Sequence, residues 1–329
     1  MENRAEASHS DARWQRHAVI DVGTNSVKLL VGDIRGHELV PVAERAEQSR
    51  LGEGFFETRS LQPAAIERTA DAIARFYGEA NALGALSIRI LATAAAREAL
   101  NVDDLAAAVH ARTRSRLEII HGSTEADMAF RGVCSTPGLP WGPILVTDVG
   151  GGSTEFIVGH EGGRSFGRSY PIGAVRLLES LQPPPNPSAA DRDRCRDAVD
   201  RFLSEHVIND VAPAIRSAGI GCIPLRYLGV GGTAVILARI ANGLTHFDRD
   251  LIEATRLSTA EVSAWVEQLW SLPLEERRRV PGLPPERADV ILTGAVVYER
   301  ILLTFGLDEF SPSTRGLRFA ALLEAHQDP

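Results

Sequence analysis

Lysine is nearly absent from this chain. Of 35 lysine and arginine residues in 329, Lys28 alone is lysine, so a site that needs a compact ammonium rather than a planar guanidinium has one place to find it. Cysteine is scarce as well. Cys134, Cys195 and Cys222 lie far apart and lack metal-ligand spacing; this argues against a disulfide scaffold and suits packing residues in a reduced, cytoplasmic setting. No apolar run approaches the roughly 18 residues that would span a bilayer, so no membrane partner is expected. The opening stretch MENRAEASHSDARWQRH is polar, without the hydrophobic segment of a secretory signal, and residues 1–17 are expected to be a disordered lead. The net charge of −8 argues against a nucleic-acid partner bound through phosphate neutralisation. It leaves room for an anionic substrate held by a few arginines inside a cleft.

What is present is a repeat. AVIDVGTNSVKLLVGDI and ILVTDVGGGSTEFIVGH each place an apolar strand ending in Asp-Val-Gly before small hydroxyl and glycine residues, then an alternating strand ending in Val-Gly. Each predicts a hairpin with a polar tip. Asp21 and Asp148 fall at equivalent positions, so the economical reading is an internal duplication: two similar α/β domains facing each other. Between the hairpins, LQPAAIERTADAIARFYGEANALG has helical spacing and ends in glycine. SIRILATAAAREALN reads as strand, turn and helix, NVDDLAAAVHARTRSRL as a helix starting near Asn101, and LEIIHG as a strand. Further along, LQPPPNPSAAD is a proline-rich loop before a long polar helix. RADVILTGAVVYERILLTFG is a buried segment, LDEFSPS a strand, and a terminal helix begins at Thr314.

The hairpin tips are the first candidates for chemistry. Glycine admits φ > 0 and lets successive N–H groups converge, and such a nest with hydroxyls beside it binds phosphate oxygens. The first tip offers Gly23, Thr24, Asn25 and Ser26; the second offers Gly150, Gly151, Gly152, Ser153 and Thr154. An aspartate beside a phosphate nest makes sense if a divalent cation lies between them. In a third segment, RYLGVGGTAVILARIANG, a strand is expected to lead through Gly231 and Gly232 into a helix at Thr233, whose N-terminus again favours an anion. The dinucleotide fingerprint through Gly229, Gly231 and Ala234 is weak, because no strand with a terminal acid follows at the expected distance. No Walker-type phosphate loop occurs. Ser26 and Lys28 share a strand face, which puts the lone ammonium near the first nest.

The ordered series DVGTNSVKLLV, RLGEGF, TAAAREALN, HGSTEADMAFRGV, DVGGGSTEFIVG, YPIGAVRLLE, GVGGTAVILA, GLPPERADVI and SPSTRGLR resembles the exopolyphosphatase / guanosine pentaphosphate phosphatase family (Ppx/GppA). The resemblance runs over nearly the whole chain. It implies two ribonuclease-H-like domains with an interdomain cleft, in the superfamily of actin, sugar kinases and heat-shock chaperone ATPases. The expected division is 18–128 for domain I, joined by a terminal helix over 314–329, and 129–313 for domain II.

The resemblance also implies Glu125 as catalytic base, Asp148 and Glu155 as a pair that binds metal or orients water, and Asp21 as the analogous metal ligand at the first tip. Mg²⁺ or Mn²⁺ is the implied cofactor. Arg97 resembles the family's substrate-contacting arginine, and Arg50, Arg176, Arg287 and Arg318 lie in family-like segments as either phosphate contacts or structural ion pairs. Departures are Ser123 and Thr124, where relatives often carry acids, and His121, a candidate cleft residue. Phe319 and Ala320 stand where relatives often have Glu-Gly. The expected activity is release of the terminal phosphate of inorganic polyphosphate. Three alternatives stay open: guanosine pentaphosphate as substrate, a kinase of the same superfamily, and a non-catalytic sensor of a nucleotide alarmone. A homodimer is compatible with the resemblance, although no residue marks its surface.

Overall fold

The computed structural model describes residues 13–160, 163–218 and 223–325. Eleven strands form two sheets: β1 (Gln15–Val22), β2 (Val27–Arg35), β3 (Glu38–Glu47), β4 (Ser87–Ala92) and β5 (Leu117–Ile119) in one, and β6 (Ile144–Val149), β7 (Thr154–His160), β8 (Gly163–Tyr170), β9 (Arg226–Val230), β10 (Leu257–Ser258) and β11 (Glu309–Pro312) in the other. The orders are β3-β2-β1-β4-β5 and β8-β7-β6-β9-β11-β10. In both, a meander of three antiparallel strands is extended by two parallel strands beside its first member, and the second sheet ends in β10, antiparallel to β11. The duplication expected from the two hairpins is therefore present as topology.

Both sheets are covered on both faces, which explains why their central strands read as nearly continuous apolar runs. Ile20 and Leu29 face the helices Pro63–Ala82 and Val102–Thr113, whereas Val19 and Leu30 face the terminal helix Leu317–Ala325. In the second sheet Leu145 and Phe156 point to a core built with the helices Ala189–Phe202, Thr259–Ser271 and Ile291–Phe305, and Val146 and Ile157 point to the helix Gly122–Cys134. Each such fully buried side chain contributes on the order of 2 kcal/mol of transfer free energy. Cys195 packs in the second core; Cys222 lies outside the described residues.

Two helices are exchanged between the sheets. Gly122–Cys134 follows the first sheet in the chain yet packs on the second through Ala126, Ala129, Phe130 and Val133, while Met128 joins the core under the first. The terminal helix does the reverse, following the second sheet and filling the open face of the first. The expected division at 128/129 thus cuts a helix that touches both cores. Where the exchanged segments cross, a Cβ on Gly132 would lie 2.1 Å from the Gly316 carbonyl oxygen. Phe319 is fully buried, with the Arg249 and Arg315 guanidinium groups over its ring, so the departure from the family's Glu-Gly fills a core rather than a cleft.

Some boundaries differ from expectation. β1 begins at Gln15 rather than Ala18, inside the stretch read as a lead; residues 1–12 lie outside the described set. The third glycine segment enters its helix at Gly231, not Thr233, and the terminal helix starts at Leu317, not Thr314. The polar helix after the proline-rich loop starts at a capping box of Ser188 and Asp191. Among the described residues no helix is long and apolar enough to cross a membrane.

Gly132→Ala is expected to cost about 2–3 kcal/mol, because backbone rather than a movable side chain occupies the space its methyl needs. A lower urea midpoint with an unchanged slope would show this.

Candidate active site

The two hairpin tips meet at the carboxyl ends of the parallel strands, where open α/β sheets place their ligands. The tips close identically: Gly23 N–H donates to the Ser26 carbonyl at 3.0 Å, and Gly150 N–H to the Ser153 carbonyl at 3.0 Å. Gly23, Gly150, Gly151 and Gly152 do not have the positive φ expected of them. Their need for glycine is closeness. A Cβ on Gly151 would lie 3.0 Å from Thr24 Cβ, and one on Gly152 2.8 Å from Thr24 Oγ1. The first tip therefore packs directly on the second. Among the described residues, no protein acceptor takes the backbone N–H groups of Thr24, Asn25 and Ser26, nor those of Gly151, Gly152 and Ser153. The buried Asn25 Nδ2 also lacks a partner.

The cleft bounded by these tips is lined by Asp21, Gly23, Thr24, Asn25, Ser26, Lys28, Glu125, Asp148, Gly150, Gly151, Gly152, Ser153, Glu155, Gly232 and Thr233, among others. Most of the expected site residues thus converge. Strand register explains the arrangement of charge. Asp21 pairs with Lys28 across the first hairpin, and Asp148 pairs with Glu155 across the second. Lys28 is thus the counterpart of Glu155, and its Nζ lies 3.8 Å from Asp21 Oδ2.

Other expected residues fall elsewhere. Arg97 does not line the cleft; it donates to Glu125 Oε2 at 2.8 Å from behind. Thr154 turns its hydroxyl into the fold, to the Ile172 carbonyl at 2.6 Å. Gly231 lines the adjoining space instead, and His121 is exposed at its helix start, outside the cleft lining. Arg50 pairs with Asp289 at 2.7 Å and Arg176 with both oxygens of Glu98 at 2.8 Å, each bridging the two halves. Arg287 is a cleft residue. Its Nη2 donates to Ser26 Oγ at 3.1 Å, and among the described residues no carboxylate lies within ion-pair distance. Thr93 also lines the cleft; its place at the end of β4, set by parallel pairing to β1, had no local signal in the sequence.

Burial shapes the electrostatics. Desolvation pushes Glu125 up to about 7 against the opposing Arg97 charge, with Asp148 and Asp21 adding repulsion. Asp148 is pushed up to about 6 by desolvation and by Asp21, opposed by Lys28 and Arg318. Glu155 lies well above the usual carboxylate range through desolvation and the charges of Glu125 and Asp148, although the Ser169 and Ser153 hydroxyls donate to its Oε1 at 2.6 and 2.9 Å. Desolvation lowers Arg287 to about 10.

The expected three-carboxylate metal set is not assembled. Among the described residues, no group of three or more His, Cys, Asp or Glu side chains is arranged to hold an ion, and Glu155 is held by its two serines. Asp21 and Asp148 do fit a hard cation that takes one or two carboxylates and completes its shell with water and substrate oxygens. Both line the cleft beside the free donors of the tips.

Two predictions test this geometry. Gly231 has φ 86°, and a Cβ there would lie 2.3 Å from Asp148 Oδ1. Gly231→Ala should displace that carboxylate and lower turnover at least tenfold with a smaller change in melting temperature. Second, the raised Glu125 and Asp148 favour folding fully below their unfolded values and lose that advantage as pH rises through about 7 and 6. Metal-free protein should therefore melt at lower temperature at pH 8 than at pH 5, and Glu125→Gln should flatten the trend by up to roughly 3 kcal/mol.

Comparison with known proteins agrees with this architecture. The model of the Ppx/GppA phosphatase family matches residues 15–327. Exopolyphosphatase 2 of Mycobacterium tuberculosis is 33% identical over 297 residues, covering 87% of this chain and 89% of that protein. The crystal structure of the Aquifex aeolicus family member aligns with a TM-score of 0.75 at 27% identity over 96% of this chain and 98% of its own. An exopolyphosphatase-like protein of known crystal structure aligns with a TM-score of 0.84 at 28% identity over 95% and 98%. With the duplicated sheets and the paired tips between them, these matches establish that the chain belongs to the Ppx/GppA phosphatase family.

Proposed function

We propose that this protein is an exopolyphosphatase, removing the terminal phosphate of inorganic polyphosphate by hydrolysis. The observation that carries the reading is the set of free backbone donors on two facing tips, with a desolvated carboxylate, Glu125, on the same cleft. A terminal phosphoryl group presents oxygens to both tips, while Lys28 and Arg287 supply positive charge that the surrounding acids do not fully neutralise. Among the described residues no carboxylate lies within ion-pair distance of Arg287, and a bound phosphate would supply that partner.

Hydrolysis then follows from position. Water on the Glu125 side attacks the terminal phosphorus in line, the bond to the bridging oxygen breaks, and Glu125 accepts the proton. The shortened chain leaves with its new terminal oxygen facing Lys28 and Arg287. A divalent cation held by Asp21 and Asp148 would neutralise charge on the phosphate oxygens. The proton affinity of Glu125 suits a base working near neutral pH, since an ordinary carboxylate would accept the proton less readily.

One observation favours guanosine pentaphosphate as a second reading. Beyond Lys28 the cleft continues into an adjoining, more open space whose lining includes Val235, Ile236, Phe247, Pro284 and Arg239. A base and sugar fit such a mixed wall, while an inorganic chain uses only its charged part.

Orthophosphate release with Mg²⁺ from long polyphosphate, tripolyphosphate, guanosine pentaphosphate and ATP decides between these readings. Polyphosphate should be the preferred substrate, and Glu125→Gln should lower its kcat by about 10²–10⁴-fold. A preference for the guanosine substrate would move the protein to the second reading. No release from any of them, with tight nucleotide binding that survives Glu125→Gln, would make it a sensor.

A further inference from the structure

Arg97 was expected to touch substrate, but its Nη1 is engaged by the protein. It extends from the short helix Ala94–Glu98, which begins directly after β4. Its Nη1 donates to Glu125 Oε2 at 2.8 Å and to the Ile120 carbonyl at 3.1 Å. Ile120 N–H is in turn bonded to the Ala92 carbonyl at the end of β4. Both ends of the arginine are therefore anchored to the same strand terminus. Glu125 lines the cleft and Arg97 does not.

We propose that Arg97 is a positioning residue that acts only through Glu125: it holds Oε2 and leaves Oε1 free for the attacking water, without contacting the substrate. This rests on the hydrolase reading given above. Two features support it. A carboxylate at the start of a helix has free rotation about its last bond, and a charge-assisted donor on one oxygen removes that freedom and fixes which lone pairs face the cleft. The helix start itself is set tightly, since a Cβ on Gly122 would lie 2.6 Å from Ser169 Cβ and 3.7 Å from Arg97 Nη2. Base, positioning arginine and the strand carrying Ser169 thus form one packed unit. The neighbouring Glu98 ties the same short helix to Arg176 of the second half, so the base is positioned relative to both tips.

A double-mutant cycle tests the proposal. Turnover and KM on tripolyphosphate are measured for wild type, Arg97→Gln, Arg97→Lys, Glu125→Gln and the Arg97→Gln/Glu125→Gln pair, and tripolyphosphate affinity is measured by calorimetry in the two Glu125→Gln proteins. Arg97→Gln should lower kcat at least tenfold with KM changed less than twofold, and Arg97→Lys should recover part of that loss. In the Glu125→Gln background, adding Arg97→Gln should change residual turnover and Kd less than twofold. A tenfold or greater rise in Kd there would make Arg97 a substrate contact and overturn the proposal. So would multiplicative losses of turnover, or an unchanged kcat in Arg97→Gln. Thermal unfolding identifies a variant that fails to fold, in which case Arg97→Lys replaces Arg97→Gln in the Glu125→Gln background, where a tenfold or greater rise in Kd is again the overturning result and a change under twofold the expected one. Wild type that releases no orthophosphate from any phosphoanhydride would instead overturn the hydrolase reading, and the calorimetric arm would still decide whether Arg97 meets the ligand.

Discussion

The structure turns on the approach of the two hairpin tips. Thr24 sits where side chains on Gly151 and Gly152 would be, and this contact brings two separate sheets to within reach of one small anion. Around it lie further bridges between the halves, among them Arg50 with Asp289, Arg176 with Glu98, and Arg287 with Ser26. Exposed and half-exposed ion pairs contribute little each. The exchanged helices, crossing at Gly132 and Gly316, join the two apolar cores and supply the larger part of the attachment.

Near-symmetry in the backbone carries asymmetry in charge. Both hairpins close through the same turn and put an aspartate at the same register position. The residue opposite is Lys28 in one and Glu155 in the other. The first half therefore presents a mixed pair to the cleft, and the second half presents two acids. Glu155 is held by serine hydroxyls, while Lys28 moderates the field on Asp148. A chain whose other basic side chains of this kind are all arginine has an ammonium here, 3.8 Å from the Asp21 carboxylate.

The cleft is organised at an energetic cost. Three desolvated carboxylates share it, and each is less willing to ionise than it would be in water. Arg287 is a desolvated cation with no carboxylate within ion-pair distance among the described residues. Such a set is unfavourable when empty, and under the proposed function a phosphorylated ligand with its cation would relieve it: the anion would meet Arg287 and the free N–H groups, and positive charge the acids. Donors that need no reorganisation when substrate arrives are what electrostatic stabilisation of a transferring phosphoryl group requires.

Much of this was readable along the chain. The repeated Asp-Val-Gly hairpins foretold the duplicated sheets, because strand alternation and a tight polar tip are local properties of a few residues. Chemistry and family resemblance together pointed to the tip residues, Glu125 and Lys28, and all of these but Thr154 line one cleft. Other features were set by proximity between distant segments. The tip glycines are needed for packing against Thr24 rather than for positive φ, and Thr154 faces the core because β7 pairs in one register. Arg97 stands behind Glu125, although nothing in TAAAREALN separates a substrate arginine from a positioning one. Arg287 and Thr93 reach the cleft only because Pro285–Arg287 and the end of β4 are brought against the first tip. Local pattern specifies a backbone element and which side chains share a face; whether a charge meets solvent, a ligand or another residue depends on what folds over it, and that is decided by contacts hundreds of residues apart.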